Sequence, residues 1–133
     1  MPSLNAFDIF FKFENNELDK SSALLSLKSI LENQDNGTLR IEALQIIGIL
    51  KPQGEEMFTI LEQTLISDNH SHIRALAAKI IIENFPERSY EPIKWALERK
   101  QEHFFLNFIA CVIQRSKRSD LQRILSSKNV SRK

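Results

Sequence analysis

Glycine, proline and cysteine are all scarce in this sequence. Three glycines and four prolines are too few for the many tight turns of a β-sheet protein, so they favour helices joined by short turns. The single cysteine, Cys111, excludes an intramolecular disulfide framework and fits a reducing compartment, so we expect a cytoplasmic protein. No apolar run approaches the roughly 20 residues of a membrane-spanning helix, and residues 1–4 open no secretory signal, so we expect no membrane contact.

Motifs for catalysis and for metal binding are also missing. The three glycines are isolated from one another and cannot form a phosphate-binding loop. His70 and His72 lie together in a predicted turn, but a zinc site needs at least one more ligand, and His103 lies a full repeat away. The acidic residues fall on polar helix faces and turns. We therefore predict no catalytic residue, no metal, no cofactor and no enzymatic activity.

One stretch of the chain occurs twice, at a separation of 34 residues. Leu-Arg-Ile-Glu-Ala at 39–43 recurs as Ile-Arg-Ala-Leu-Ala at 73–77, and Pro52 recurs as Pro86. A fixed period of this length is typical of stacked supersecondary units. The repeat therefore predicts a modular architecture before any single residue is considered.

Each unit is predicted to contain two helices, because apolar residues recur with the 3.6-residue period of one helix face. Short breaks rich in Asn, Asp, Gly and Pro separate the helices. The expected helices cover roughly 19–35, 39–50, 58–65, 73–81, 92–97 and 106–113. A phenylalanine-rich helix at 4–13 and a short helix after Ser119 or Asp120 are expected to cover the two ends.

These features predict an all-α fold, a short α-solenoid of about three helix pairs with terminal capping helices. The apolar fraction of 42% and the length of 133 residues suit one globular domain, so we expect a single domain over residues 1–133. The last residues, 126–133, are polar and basic, and we expect them to fray.

The start of the second helix in each unit resembles the HEAT repeat. It has an apolar residue, then Arg, then Ala three positions on, with Asp five or six residues before the Arg. The matching residues are Asp35, Arg40 and Ala43, then Asp68, Arg74 and Ala77. The pattern is similar to the short HEAT-like units named after phycobilisome lyases, over residues 20–115.

The resemblance implies structural roles for these residues. In that family the Asp and Arg form a ladder of side-chain contacts between successive units, and the small Ala allows close helix packing. In the third unit Asn107 takes the Arg position, so we expect the ladder to end there. HEAT-like arrays serve as scaffolds, adaptors, lyases and DNA-repair proteins, so the resemblance implies an architecture more than a function.

Aligning Ala43, Ala77 and Ala110 gives a register for the second helices. These helices line the concave surface of a solenoid, and partners usually bind there, on the side of each helix that faces outward from the core. The predicted partner-binding residues are Glu42, Gln45, His72, Leu76, Lys79, Glu83, Phe105, Ile109 and Val112. The last three would form an apolar patch, which is either an interface with a protein partner or a second copy, or a surface covered by the last helix. The same register predicts that Cys111 is a buried packing residue.

Basic residues concentrate near the C-terminal end. Residues 112–133 contain seven basic side chains and one acidic, whereas the other 111 residues have a net charge of −5. A nucleic-acid binder could place four of these on phosphates: Arg115, Lys117, Arg118 and Arg123. The outward face offers only Lys79 against Glu42 and Glu83, which is a poor phosphate track. A non-catalytic scaffold or adaptor that binds another protein is therefore the favoured hypothesis, and nucleic acid is the disfavoured partner.

Overall fold

The computed structural model describes residues 5–128, with the backbone alone at Lys128. Over this range the chain is helical and contains no strand, which confirms the predicted all-α class. The helices are α1 (Ala6–Glu14), α2 (Lys20–Asn33), α3 (Gly37–Leu50), α4 (Glu55–Ser67), α5 (Ser71–Asn84), α6 (Tyr90–Glu98), α7 (His103–Ser116) and α8 (Ser119–Lys128), with one 3-10 turn at Pro86–Arg88. None of these helices combines the length and hydrophobicity that crossing a membrane requires.

Short polar side chains fix the starts of the first three helices. The carboxamide oxygen of Asn5 accepts the backbone N–H of Asp8 at 2.8 Å, and Asp19 accepts that of Ser22 at the same distance. Asn36 does the same for α3. Each contact satisfies one of the N–H groups that a helix leaves unpaired in its first turn. The helix boundaries in this part of the chain are therefore set by local sequence.

The described residues cluster into two compact units, divided between Ile60 and Leu61 inside α4. In the first unit α2 packs against α3, and α1 packs against both. Its apolar core comes from one face of each helix and includes Ala6, Ile9, Ala23, Leu24, Leu27, Leu31, Ala43, Leu44, Ile46, Ile47 and Leu50. The first predicted helix pair therefore folds as a hairpin with α1 packed onto it.

In the second unit α5 packs beside α7, and α6 packs beside α8. The side chains of His72 and Phe104, both near the starts of their helices, are stacked. Ile82 and Ser116, both near the ends, line one cavity. Because the first turn of α5 lies beside the first turn of α7, and the last turn beside the last, the two helices run parallel.

The phenylalanines of α1 are buried less than we expected. Ala6 and Ile9 are the buried residues of this helix, whereas Phe7 is 52% exposed and Phe11 is 69% exposed. A helix turns by about 100° per residue, so Phe7 and Phe11 share a face that lies roughly opposite Ile9. This helix therefore packs through its small and aliphatic residues and leaves two aromatic rings at the surface.

The register predicted for the third unit is wrong by one residue. Phe105, Ile109 and Val112 are buried, with exposures of 0%, 0% and 1%, so they cannot form a surface patch. Helices α3, α5 and α7 begin at residues 37, 71 and 103, so the separation falls from 34 to 32. Ile109, and not Ala110, therefore occupies the position of Ala43 and Ala77.

The physical reason for the shift lies in α6. It has nine residues where α4 has 13, so the third unit is shorter than the second. A displacement of one residue rotates every side chain of α7 by about 100°, which exchanges its buried and exposed faces. Helix α8 packs against α6 and α7 with three buried side chains, Leu121, Ile124 and Leu125. The residues predicted as a patch therefore lie in the core of the second unit, where the guanidinium of Arg74 from α5 lies 5.9 Å from the centre of the Phe105 ring.

Two neighbouring phenylalanines provide a test of this register. We expect Phe105→Ala to lower the free energy of unfolding by about 3–5 kcal/mol, because it leaves a cavity in the core. The adjacent Phe104 is 42% exposed, so Phe104→Ala should lower the free energy of unfolding by about 1 kcal/mol or less. Urea denaturation followed by circular dichroism measures both, and equal losses would contradict the observed rotation of α7.

Candidate functional site

The outward sides of α5 and α7 form one surface, here called the α5–α7 face. It is defined by two sets of four residues, His72, Leu76, Lys79 and Glu83 on α5, and Phe104, Phe108, Cys111 and Arg115 on α7. The α5 set contains the residues predicted for this helix, which are exposed or half-buried, and their role in binding stays a prediction. The α7 set replaces the buried residues of the wrong register, and it follows from the α5 set when the separation is 32 residues. The face lies entirely within the second unit.

Three stacked rings form one end of the α5–α7 face. The ring of Phe104 lies 4.1 Å from that of His72 between centroids, with 23° between their planes. Phe104 also stacks on Phe108, at 5.8 Å and 21°. These contacts hold the exposed ring of Phe104 in a defined orientation. We call these three residues the aromatic ledge.

The middle of the face is partly apolar and close to neutral. Leu76 is half-buried and Cys111 is exposed, which contradicts the prediction of a buried thiol. The ammonium of Lys79 lies 3.0 Å from the carboxylate of Glu83, one helical turn away on α5. The lysine charge is therefore balanced within the face.

A cavity of about 360 Å³ lies at the other end of the face. Its lining residues are Ile82, Glu83, Pro86, Arg115, Ser116 and Arg118. Both arginines sit near the C-terminal end of α7, where a helix favours positive charge. Arg115 is exposed, so its guanidinium is accessible to a ligand.

Arg118 is committed to the fold. Its guanidinium donates to both carboxylate oxygens of Asp120, at 3.1 and 2.9 Å, and also to the hydroxyl of Ser89, at 2.8 Å. Ser89 is completely buried, so the arginine connects the start of α6 with the start of α8. The hydrogen bond from Arg118 lowers the pKa of Asp120, although partial burial opposes the shift.

The two arginines of the predicted ladder both bind carbonyl groups at the end of the preceding helix. Arg40 donates to the carbonyls of Leu31 and Gln34, at 3.1 and 3.4 Å. Arg74 donates to the carbonyl of Asp68 at 2.8 Å. Such carbonyls lack partners within their own helix, so each arginine stabilises a helix end. The carboxylate contacts that the resemblance implies for Asp35 and Asp68 stay a prediction.

In the third unit a glutamine replaces the ladder arginine. The revised register places Leu106, and not Asn107, at the arginine position. Gln101 donates its amide N–H to the carbonyl of Ala96 at 2.8 Å, and its amide oxygen accepts from Arg74 at 3.4 Å. The carbonyl at the end of α6 is thus satisfied by a side chain from the following loop. Sequence reasoning missed this residue because it precedes the helix.

Two predicted partner-binding residues lie in the first unit. Glu42 is half-buried and Gln45 is exposed, both on α3. Ile49, on the same side of that helix, is 58% exposed. Glu42 and Gln45 therefore lie on α3 and are not among the residues that define the α5–α7 face.

Between residues 5 and 128, no three His, Cys, Asp or Glu side chains are arranged to hold a metal ion. Comparisons with models of protein families, with curated proteins and with solved structures find no match to this chain. The geometry of the α5–α7 face is therefore the basis for a functional proposal.

Cys111 gives a direct test of the exposed side of α7. It is the only thiol in the protein, and we expect one equivalent to react with Ellman's reagent in the native state, at a rate near that of the urea-unfolded chain. A native rate slower by about a hundredfold or more would mean that the thiol is buried, as the wrong register predicted.

The pair Arg118–Asp120 predicts a pH-dependent contribution to stability. Because the pKa of Asp120 is lower in the folded state, its contribution is present above the unfolded pKa of about 3.9 and is lost as pH falls through the folded pKa. We expect Asp120→Asn to lower the free energy of unfolding by up to about 1 kcal/mol at neutral pH, since the pair is partly exposed. In acid the same substitution should lower it very little.

Glu98→Gln is a matched control for this experiment. Glu98 is also a partly exposed acid, and its ion pair with Lys94 is longer, at 3.7 Å. Urea midpoints at neutral pH and over a series of acidic pH values should separate the two variants at neutral pH, and the difference should disappear as Asp120 becomes protonated. Equal effects at neutral pH would show that Arg118 does not form the stabilising contact described.

Proposed function

We propose that this protein is a non-catalytic interaction module, a scaffold or adaptor that holds a segment of another protein on the α5–α7 face. The observation that carries the proposal is the aromatic ledge. Its central ring, Phe104, is 42% exposed yet stacked on both sides. Exposed, ordered aromatic side chains are the usual anchors of protein interfaces, because they bury a large area at small entropic cost.

The proposed architecture is a short HEAT-like α-solenoid. Its support is the pairing of equivalent helices in the second unit, where α5 packs beside α7 and α6 beside α8. The parallel direction of α5 and α7 is what successive helix pairs of a solenoid require. On this interpretation the α5–α7 face belongs to the row of second helices along which such arrays bind their partners.

The dimensions of the face suit a single peptide segment. Phe104 and Arg115 are eleven residues apart on one helix, which corresponds to about 16 Å. A partner helix of about three turns, or an extended segment of about five residues, spans this distance. Such a segment could place an apolar side chain on the aromatic ledge and an acidic group near Arg115.

Nucleic acid suits the same face less well. Lys79 is paired with Glu83, and Arg118 is held by Asp120 and Ser89, so two of the nearby cations are already neutralised. Duplex binding at physiological salt needs several phosphate contacts. We accordingly propose a protein partner, no enzymatic activity, no cofactor and a cytoplasmic location.

A displayed library of random dodecapeptides tests the proposal. Peptides selected on the wild-type protein should bind Phe104→Asp at least about tenfold more weakly, because a charge replaces the central ring of the ledge. Ile66→Asp is the matched control, since Ile66 is 43% exposed and apolar but lies on α4. Circular dichroism should show that both variants are folded.

Two results would contradict the proposal. One is that the selected peptides bind Phe104→Asp as well as they bind the wild type. The other is that a single-stranded oligothymidylate binds this face more tightly than any peptide, at physiological salt and with loss of affinity in Arg115→Glu. The second result would establish the disfavoured nucleic-acid function.

A further inference from the structure

The outward face of α1 is an acidic, aromatic surface. It is defined by four exposed residues of one helix, Phe7, Asp8, Phe11 and Glu14, and is called the α1 face below. Phe7 and Phe11 lie one turn apart, which brings their rings to the same side. The two carboxylates flank this side. An exposed pair of aromatic residues on a nine-residue helix is an apolar surface that normally has a partner.

Helix α8, the last described helix, differs from α1 because its outer surface is polar. Its apolar residues Leu121, Ile124 and Leu125 are buried. Gln122, Arg123, Ser126 and Ser127 are its exposed residues after the first turn. A polar outer surface of this kind is well solvated and does not favour association. Helix α1 lacks such a surface.

Charge is divided unequally between the two units. Residues 1–60 contain five basic and nine acidic side chains, a net charge of −4. Residues 61–133 contain thirteen basic and eight acidic side chains, a net charge of +5. Two copies of the chain therefore attract each other through unlike units and repel through like units. This complementarity favours a head-to-tail contact over a symmetric contact between two α1 helices.

The α1 face and the α5–α7 face also match in spacing. Phe7 and Glu14 are seven residues apart, as are Phe108 and Arg115, so each pair spans about 10 Å along its helix. When α1 lies parallel to α7, an aromatic ring meets the aromatic ledge and a carboxylate meets the exposed guanidinium. A charged pair of this kind fixes the register of an apolar contact.

We propose that the α5–α7 face binds α1 of a second copy of this protein. The inference rests on the proposed function, because it names the partner of the same site. Each copy presents one α1 face and one α5–α7 face, so the contact is heterologous and copies join head to tail. The number of copies in such an assembly is unlimited unless the rotation between successive copies closes a ring.

The contact is small. One short helix on one face buries less than the roughly 1,200 Å² of a standard stable interface. We therefore expect association in the range of about 10–100 μM at low salt, weakening as salt screens the opposite charges. Sedimentation velocity of the wild-type protein over this concentration range should give a weight-average coefficient that rises beyond the value of a dimer.

Two variants disable one face each. Phe11→Asp removes an anchor of the α1 face, and Phe104→Asp removes the centre of the aromatic ledge. Each variant alone should remain monomeric at concentrations where the wild type associates. An equimolar mixture should form a dimer and nothing larger, because α1 of the Phe104→Asp copy can bind the intact α5–α7 face of the Phe11→Asp copy. Ile66→Asp is the control and should associate as the wild type does, because Ile66 is exposed but belongs to neither face.

A charge exchange gives a second, independent test. Glu14→Lys and Arg115→Glu should each weaken self-association by about fivefold or more. A mixture of the two variants should recover association, because the charges are again opposite at the contact between unlike copies. Both residues are exposed, so neither substitution should unfold the protein.

The inference is wrong if the wild type stays monomeric up to about 1 mM at low salt. It is also wrong if the mixture of Phe11→Asp and Phe104→Asp does not dimerise. The dodecapeptide selection separates this failure from failure of the proposed function. Peptides that bind through Phe104 while the protein stays monomeric would contradict the second copy as partner but retain the binding face.

Discussion

The packing of α7 against α5 is the constraint on which the second unit depends. Burying a large apolar side chain is worth about 1.5–3 kcal/mol, and Phe105, Ile109 and Ile113 are all completely buried. Rotating α7 by one residue would expose these side chains and bring a charged guanidinium, that of Arg115, toward the core. The rotation of α7 is therefore fixed by the core, and the exposure of Phe104 follows from it.

The surfaces proposed for binding are consequences of this packing. Because α5 and α7 run parallel, their first turns place His72 beside Phe104, and their last turns form the cavity near Arg115. A helix with aromatic residues on both sides can bury only one of them, so the other ring is left at the surface. Helix α1 buries its small and aliphatic side, Ala6 and Ile9, and leaves the rings of Phe7 and Phe11 exposed. Exposed rings on unlike-charged units are the physical basis for proposing that copies associate.

Sequence reasoning succeeded where the apolar pattern had a single face. The repeated segments around Ala43 and Ala77 are buried at the expected positions, and His72 and Lys79 lie on the outward side. The prediction from sequence failed in α7, because residues 104–113 are apolar at nearly every position. Such a helix has no unique hydrophobic side. The shortened α6 supplies the missing information, and only the structure reveals where α7 begins.

Hydroxyl-radical footprinting, read residue by residue by mass spectrometry, tests the central claim most directly. In dilute protein we expect rapid oxidation of Phe104 and none above background at Phe105. At concentrations where the protein associates, Phe104 and Phe11 should become protected together, while Ile66 on α4 stays reactive. Oxidation of Phe105 in the dilute sample would contradict the rotation of α7. Protection of Phe11 without protection of Phe104 would contradict the head-to-tail contact.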